Sequence, residues 1–407
     1  MATEYLTNDI ELTSVADAIR AKSGQTGQLI YPDGFASAVA GIKKAPATPY
    51  MEAEYVEGVD YNGNTNHYIK SAKLYNHTAI YAYEFTGQTQ LKSLDLSDAS
   101  NNITAIEVQA FNQALVDGMV LPNTISVLKT ECFFSAYITT LTVPPLVTVL
   151  PKNAFAQIQP AYNNETGEEL PINIILPQNL TKIGAFCFDG AQIKQITIPD
   201  TVTEIGESAF NYCQQLASIT LPPGLQKISD RMLAGCMSLT SIAIPASVTE
   251  IGSQAFADSG LTSITIPSTV TMLGSGAFNG CESLTSMNIQ ANVTEIPEDF
   301  ALECPLTSLT LPNTLQTIGR SAFPKSNGLQ ITELTIPASV TSIGDYAFAS
   351  NNASQIALTV LPTTPPTLGK NVFTLATGSV IKVPAASVAA YKAADGWSVW
   401  ADKIVGI

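Results

Sequence analysis

The chain repeats one short phrase along most of its 407 residues, and this repetition limits the possible folds more than any other feature. Clear copies run from Leu239 to Phe256 and from Leu261 to Phe278, and about twelve copies are recognisable. A fixed period of about 20 to 50 residues is typical of a solenoid, in which each unit buries its apolar side against its neighbours. We therefore predict one elongated body rather than several globular domains.

Prolines mark the period of the repeat. Pro199, Pro222, Pro245 and Pro267 follow one another at 22 or 23 residues, whereas Pro144 and Pro177 are 33 residues apart. Insertions into a solenoid emerge as loops, often on a binding face. The insertion therefore supplies a first set of candidate ligand-binding residues, namely Tyr162, Asn163 and Asn164.

One copy predicts the path of a turn. Leu261, Ile264 and Ile266 alternate with polar residues, as on a short strand whose apolar side faces a core. Pro267 then ends the hydrogen-bonded ladder because it lacks an N–H group. Gly274 is expected to permit a turn. We place Ala277–Phe278 on a short helical turn whose phenylalanine closes the layer, with Met232–Leu233 and Asp299–Phe300 standing in for Ala-Phe in other copies. Parallel pairing of successive strands then makes an α/β-type solenoid with a parallel β-sheet.

The outward positions of the predicted strands hold neutral, hydrogen-bonding side chains. They form a ladder on the expected concave face and are the second set of candidate ligand-binding residues: Thr197, Thr220, Thr265, Asn288, Thr310 and Thr335. Threonine also favours strands, and cross-strand threonine pairs stabilise them. The ladder is therefore either a binding strip or plain scaffold, and recognition in the second case belongs to the Tyr162 loop, the tyrosine-rich N-terminal segment or the edges.

Composition excludes several classes of function. The formal net charge is −15 and there is no Lys/Arg cluster, so electrostatic binding to nucleic acid or anionic lipid is not expected. No apolar run is long enough to cross a membrane. The six cysteines show no zinc-ligand spacing, and we expect them to fill small buried positions. His67 and His77 have no companion nucleophile, so we predict a non-enzymatic protein with no cofactor and no metal.

Four segments are expected along the chain. Residues 1–45 contain two short amphipathic helices, whose apolar residues are candidates for attachment to another subunit or partner: Val15, Ile19, Phe35, Val39 and Ile42. Residues 46–79 form a linker and a tyrosine-rich N-terminal cap, with a hairpin at Asn62–Gly63. Residues 80–384 form the solenoid, and residues 385–407 form a C-terminal cap that includes Trp397 and Trp400.

The repeat phrase Leu-x-x-Ile-x-Ile-Pro, Val-Thr-x-Ile-Gly, Ala-Phe resembles the leucine-rich repeats of the BspA-like bacterial class over residues 80–384. Members of that class are mostly surface and adhesion proteins. The resemblance therefore implies binding to proteins, glycans or cells.

Residues 7–20 and 31–35 are similar to a module at the start of virion and tail-associated proteins from phages of Gram-positive bacteria. The first residues also lack the basic and apolar regions of a secretory signal. Together these features favour a phage structural protein in the virion, a tail fibre or receptor-binding protein that forms a homo-oligomer. Its expected partners are other virion proteins, bound through the N-terminal module, and a host surface protein or glycan. The alternatives are a BspA-like adhesin on the bacterial cell surface and a capsid decoration protein.

Overall fold

The computed structural model describes residues 48–59, 65–162, 166–326, 330–350 and 355–407. The chain divides into two compact units, Met1–Tyr50 and Met51–Ile407, and the repeats all belong to the second. The candidate attachment residues of the predicted helical module lie outside the described residues, as does the Asn62–Gly63 turn: Val15, Ile19, Phe35, Val39 and Ile42.

The second unit is a parallel-sheet solenoid of about 14 turns, slightly more than the twelve copies that the phrase reveals. Each regular turn contributes one strand before its proline, here called an A strand. The A strands are β4 (Ser93–Asp95), β9 (Thr140–Thr142), β12 (Asn173–Ile175), β14 (Gln195–Thr197), β16 (Ser218–Thr220), β19 (Ser263–Ile266), β21 (Ser286–Ile289), β23 (Ser308–Thr310), β25 (Glu333–Ile336), β27 (Ala357–Val360) and β29 (Val380–Val383). Neighbouring A strands pair in parallel, with Ile264 of β19 beside Met287 of β21.

A second strand of two residues, the B strand, follows the proline in most turns. The B strands are β3 (Ala79–Ile80), β5 (Ala105–Ile106), β7 (Val127–Leu128), β10 (Val149–Leu150), β13 (Lys182–Ile183), β15 (Glu204–Ile205), β17 (Lys227–Ile228), β18 (Glu250–Ile251), β20 (Met272–Leu273), β22 (Glu295–Ile296), β24 (Thr317–Ile318), β26 (Ser342–Ile343) and β28 (Thr367–Leu368). Three early turns add a short third sheet made of β6 (Leu115–Val116), β8 (Tyr137–Ile138) and β11 (Gln159–Pro160).

A column of phenylalanine rings runs through the core. Phe85, Phe111, Phe133, Phe155, Phe188 and Phe210 are buried, and consecutive rings stack with centroids 5.1 to 5.4 Å apart. The separation is close to the 4.7–4.9 Å between paired strands, so each ring covers the ring of the preceding turn. The Phe of the repeat phrase is therefore the residue that joins one layer to the next.

The column departs from this pattern in two turns. Leu233 occupies the ring position between Phe210 and Phe256, and it is fully buried. The second departure is in the turn that contains Phe300. The Phe278 amide donates to the Phe300 carbonyl, just as the Phe256 amide donates to the Ala277 carbonyl. Phe300 thus occupies the alanine position, and the expected substitution of Ala-Phe by Asp299–Phe300 is wrong by one residue. Its ring meets Phe278 edge to face at 5.4 Å because it starts from a different backbone position.

The cysteines are free and buried, as their places in the repeat predicted. Four thiols also donate hydrogen bonds to the carbonyl of a phenylalanine 25 or 26 residues earlier: Cys213 to Phe188, Cys236 to Phe210, Cys281 to Phe256 and Cys304 to Phe278. Burial raises the pKa of the Cys236 thiol to about 12. The Cys236 thiol is therefore a protonated donor in the core rather than a reactive group.

The expected helical turn at Ala-Phe is wrong. The corner begins and ends with a left-handed residue, Gln254 and Asp258 in one turn, which a right-handed helix does not accommodate. The amides of Gln254, Phe256 and Asp258 donate to the next turn, whereas those of Ala257 and Ser259 donate within the corner. The corner therefore works as a third zone of inter-turn hydrogen bonding. In the described part of the chain, helix is confined to α1 (Val388–Ala393), η1 (Ala385–Ser387) and η2 (Ser398–Trp400).

Gly274 has a different role from the turn that its position predicted. Its backbone is not left-handed, but a Cβ atom there would lie 2.2 Å from the backbone nitrogen of Ser253 in the preceding turn. The equivalent Gly252 would place a Cβ 2.6 Å from the nitrogen of Asp230. The glycine is required because two backbones approach too closely for a side chain.

The two ends of the solenoid are covered differently. At the start, β1 (Tyr50–Val59) and β2 (Thr65–Tyr75) are neighbours in one sheet, and β2 pairs with β4. The tyrosines contribute little to this cover, since Tyr55 and Tyr83 are largely exposed. Apolar cover comes instead from Ile69, Ala72 and Leu74 of β2, all of which are buried.

At the other end, α1 and β30 (Ile404–Gly406) close the last turn, and β30 pairs with β29. Trp397 is fully buried 6.3 Å from Phe373, measured between ring centroids, and its indole N–H donates to the Pro366 carbonyl at 2.8 Å. Tyr391 is also buried and donates to the Pro362 carbonyl at 2.8 Å. Large aromatic side chains thus end the phenylalanine column, and their polar atoms satisfy carbonyls of the preceding turn.

Replacing Phe256 by alanine is expected to lower the free energy of unfolding by about 3–5 kcal/mol, because it removes one ring from the column and leaves a cavity. Phe256→Leu is the matched control, since Leu233 fills the same position in the preceding turn. Urea denaturation of the two variants measures the difference. Equal midpoints for Phe256→Ala and the unmodified chain would contradict the role of the column.

Gly274→Ala is expected to destabilise the solenoid by about 1–3 kcal/mol, because the added methyl group meets the backbone of the preceding turn. Gly276→Ala is the matched control. Gly276 is left-handed, but its Cβ would meet no backbone, only side-chain atoms of Gln254 at 3.4 Å and Asn279 at 3.7 Å, and other turns carry larger residues there. Thermal melting should therefore show the greater loss at Gly274. A greater loss at Gly276 would show that backbone conformation, not close approach, selects glycine.

Candidate binding surface

The predicted ladder lies on the outer side of the A strands. Its threonines are exposed and Asn288 is partly exposed, because each precedes or follows a buried residue on a strand. The register brings Thr197 beside Thr220, and Asn288 between Thr265 and Thr310. Thr335 lies beside Thr359 in a further group of strands. The structure thus brings the six predicted residues into three aligned groups.

The ladder side chains differ from the other threonines of the repeat in their hydrogen bonding. Thr262, Thr285 and Thr307 each donate to a carbonyl of the preceding turn, at distances of 3.1 to 3.3 Å. Within the described part of the chain, the ladder side chains have no such partners: Thr197, Thr220, Thr265, Asn288, Thr310 and Thr335. One set of hydroxyls therefore ties the turns together, and the other is left for water or a ligand.

A neighbouring row of small hydroxyl groups widens the strip. Ser263, Ser286 and Ser308 lie side by side in the register of β19, β21 and β23. These three hydroxyls also lack a protein partner among the described residues. The outer face of these strands therefore presents two parallel rows of available hydroxyl and amide groups.

The ladder is interrupted where residues 241–244 would form the next A strand. The backbone groups of these four residues make no hydrogen bond to described residues of either adjacent turn. Ile242 and Ile244 are consequently only partly buried, whereas Ile264 and Ile266 in the next turn are buried. A depression of about 750 Å³ opens here, and Thr220 of the ladder lines it. The local sequence nevertheless follows the repeat phrase.

Charged residues are concentrated on the B strands rather than on the ladder. Lys182 contacts Glu204 at 2.6 Å, and Lys227 contacts Glu250 at 2.6 Å, in each case across neighbouring B strands. Exposed pairs of this kind contribute little to stability, about 0–1 kcal/mol each. Their placement leaves the predicted ladder uncharged.

The insertion places Tyr162 at the rim of a separate depression. Tyr162 is 54% exposed, and its backbone forms an antiparallel bridge with Glu169. Asn163 and Asn164 lie outside the described residues. The same depression is lined by Lys92, Asp117 and Tyr137, which the sequence did not single out. Their positions follow the repeat period, but only the three-dimensional path of the insertion shows that they meet Tyr162.

The two histidines lie in different surroundings. His67 is exposed and lies 3.7 Å from a carboxylate oxygen of Glu57. His77 is buried, and its ring nitrogens lie 2.9 Å from the Tyr75 carbonyl and 2.9 Å from a carboxylate oxygen of Glu84. Both agree with the prediction of solvated or hydrogen-bonded histidines.

The described residues contain no cluster of three or more His, Cys, Asp or Glu side chains that could hold a metal ion. Over the same residues, no helix has the length and apolar character needed to cross a membrane.

The parallel strands, the period and the ring column define a leucine-rich repeat solenoid. The chain matches the BspA type leucine-rich repeat region over residues 64–166, 168–262 and 249–376, in six copies. It therefore belongs to the BspA type leucine-rich repeat family. No curated protein sequence matches the chain.

Several solved structures are similar to the chain. A leucine-rich repeat protein from Bacteroides ovatus is 18% identical over 87% of this chain and 98% of its own, with a TM-score of 0.47. A leucine-rich cell surface protein from Faecalibacterium prausnitzii is 19% identical over 73% and 91%, with a TM-score of 0.39. The pneumococcal vaccine antigen PcpA is 17% identical over 86% and 80%, with a TM-score of 0.44. These proteins are too distant to indicate a ligand for this one.

Proposed function

We propose that the chain is a non-enzymatic binding protein of a bacterial cell surface, an adhesin whose outer A-strand face contacts another molecule. The observation that carries this proposal is the absence of protein partners for the ladder side chains in the described part of the chain, such as Thr265 and Thr310. Equivalent hydroxyls one row away are used to join turns. The hydrogen-bonding groups of these rows are thus available to a ligand, beyond the preference of threonine for strands.

The chemistry of the strip favours contact with a hydrated, neutral surface. Hydroxyl and amide groups both donate and accept hydrogen bonds, so they match the hydroxyls of a glycan or the polar backbone of a protein. Each contact is weak, but the same groups recur from turn to turn. A repeating surface on a partner can therefore engage many of them at once, which raises the overall strength of binding.

The phage-virion hypothesis depends on residues 7–20 and 31–35, which lie outside the described residues. The family match concerns the repeats, and the three similar structures named above are not described as phage proteins. Attachment to virion proteins and a tail-fibre or capsid-decoration role are accordingly kept only as outcomes of the imaging test below, and homo-oligomerisation stays a prediction.

The location of the protein distinguishes the adhesin hypothesis from the virion hypothesis. Immunogold imaging with an antibody against the solenoid, on intact cells of the organism that encodes the chain and on particles from the same induced culture, should label the cell surface. Label on particles with bare cells would contradict the adhesin and favour the virion role. Label confined to sectioned cell interiors would exclude both.

The binding face is tested by bead adhesion. Beads that carry the full chain should adhere to cultured epithelial cells, and the double variant Thr265→Lys/Thr310→Lys should reduce adhesion about tenfold, because it places unpaired charges in the free rows. Met272→Lys is the matched control, since Met272 is 58% exposed but lies on a B strand. Equal adhesion of the double variant and the unmodified chain would remove the A-strand face from the proposal.

A further inference from the structure

The strongest unexplained feature is the depression beside Tyr162. It has a volume of about 350 Å³, and its lining includes Thr89, Lys92, Leu115, Asp117, Tyr137 and Tyr162. These residues come from four successive turns. A ligand in the depression would therefore be held by side chains that only the stacked solenoid brings together.

The insertion builds one wall of this depression. Leu170 donates its N–H to the carbonyl of Ala161 at 2.8 Å, and the bridge between Tyr162 and Glu169 follows directly. This short antiparallel ladder holds the Tyr162 backbone at the rim. Tyr137 lies in β8, between Leu115 of β6 and Gln159 of β11 in the register of the third sheet. The floor is thus a paired sheet, and the rim carries an exposed phenol ring.

The polar groups of the depression are available. Within the described residues the Tyr137 hydroxyl has no hydrogen-bond partner, and the Lys92 ammonium forms no ion pair. Asp117 accepts a hydrogen bond from the Thr139 hydroxyl at Oδ1 only. A ligand therefore meets one free cationic donor, one partly free carboxylate and one phenol that can donate or accept.

We propose that this depression binds a neutral saccharide, an inference that rests on the proposed binding function and assigns its ligand class. Two tyrosines offer apolar ring faces, which suit the C–H-bearing face of a pyranose, and phenol groups, which suit its hydroxyls. The Asp117 carboxylate can accept from sugar hydroxyls, and Lys92 can donate to them. One positive and one negative charge share the site and the whole chain carries −15, so an anionic sugar is disfavoured.

The geometry favours a sugar over a peptide. An extended peptide usually binds by adding a strand to a free sheet edge or by filling an apolar groove. Here β6, β8 and β11 already pair with one another, and Gln192 donates to the Ile158 carbonyl beside them. A second depression of about 180 Å³ adjoins the first and shares Lys92, Leu115 and Asp117 with it. The joined space accommodates more than one sugar unit.

The test uses the full chain on immobilised oligosaccharides: neutral gluco-, galacto-, manno- and N-acetylglucosamine-containing members, with sialylated and sulfated counterparts. The unmodified chain should bind at least one neutral member. Tyr162→Ala, Tyr137→Ala and Asp117→Asn should each weaken that binding about tenfold or more. Tyr212→Ala is the matched control, because Tyr212 is also 54% exposed but does not line the depression, and it should bind normally.

Four results would overturn the assignment: no binding to any neutral member, binding to anionic members only, undiminished binding by Tyr162→Ala, or equal loss in Tyr212→Ala. Circular dichroism checks that the variants fold, and Tyr162→Phe separates loss of the hydroxyl from loss of the ring. Bead adhesion without sugar binding would contradict the saccharide assignment but would leave the adhesin proposal standing. Loss of both bead adhesion and sugar binding would contradict both the adhesin and the saccharide proposals. Competition of adhesion by a peptide pool, but by no sugar, would reassign the depression to a peptide.

Discussion

The rest of this structure depends on the contact between one turn and the next. Paired backbones lie about 4.8 Å apart, and the core rings follow at 5.1 to 5.4 Å over the first six phenylalanines. Every other feature fits within that spacing. Gly274 is glycine because the backbone of the preceding turn occupies the space of a side chain. The Cys281 thiol donates along the same direction, to the carbonyl of Phe256. Each turn is stable only because its neighbours are present.

The corners show how hydrogen bonding between turns compensates for an unfavourable backbone. A left-handed residue other than glycine costs roughly 1–2 kcal/mol, and a corner such as Gln254 to Asp258 contains two. With these two residues in the left-handed conformation, the amides of Gln254, Phe256 and Asp258 point at the next turn. Each amide then has a protein partner in place of water. The cost recurs in every such corner because the same bonds recur.

Much of the fold was predictable because it depends on period. The proline spacing, the alternation of Ile264 with polar neighbours and the place of Phe256 recur in most copies, and the structure follows them there. The corners were not predictable, since Gln254 and Asp258 carry no glycine signal for a left-handed backbone. The position of Phe300 was missed because its turn has lost the usual Gly and Ala landmarks. A local departure from the repeat is therefore harder to predict from the sequence than the repeat itself.

In the candidate site, too, the repeated features could be predicted and the local contacts could not. The ladder could be predicted because its residues repeat, but their hydrogen bonding could not: Thr265 and Thr262 are both polar positions of one copy, and only the structure shows which hydroxyl is free. Tyr162 was identifiable from its insertion. Lys92, Asp117 and Tyr137 were not, because they meet Tyr162 only through the path of that insertion across the turns.

The A-strand and B-strand surfaces differ in how much hydrogen-bonding capacity they leave for a partner. On the B strands, Lys182 and Glu204 satisfy each other across neighbouring turns, so little of their bonding capacity remains for a partner. On the A strands, the ladder groups satisfy nothing in the described part of the chain, although the same residue type does so one row away. A solenoid stabilised entirely by its core, corners and structural hydroxyls does not need the ladder. The ladder and the depression beside Tyr162 can therefore vary with the ligand while the stack stays unchanged.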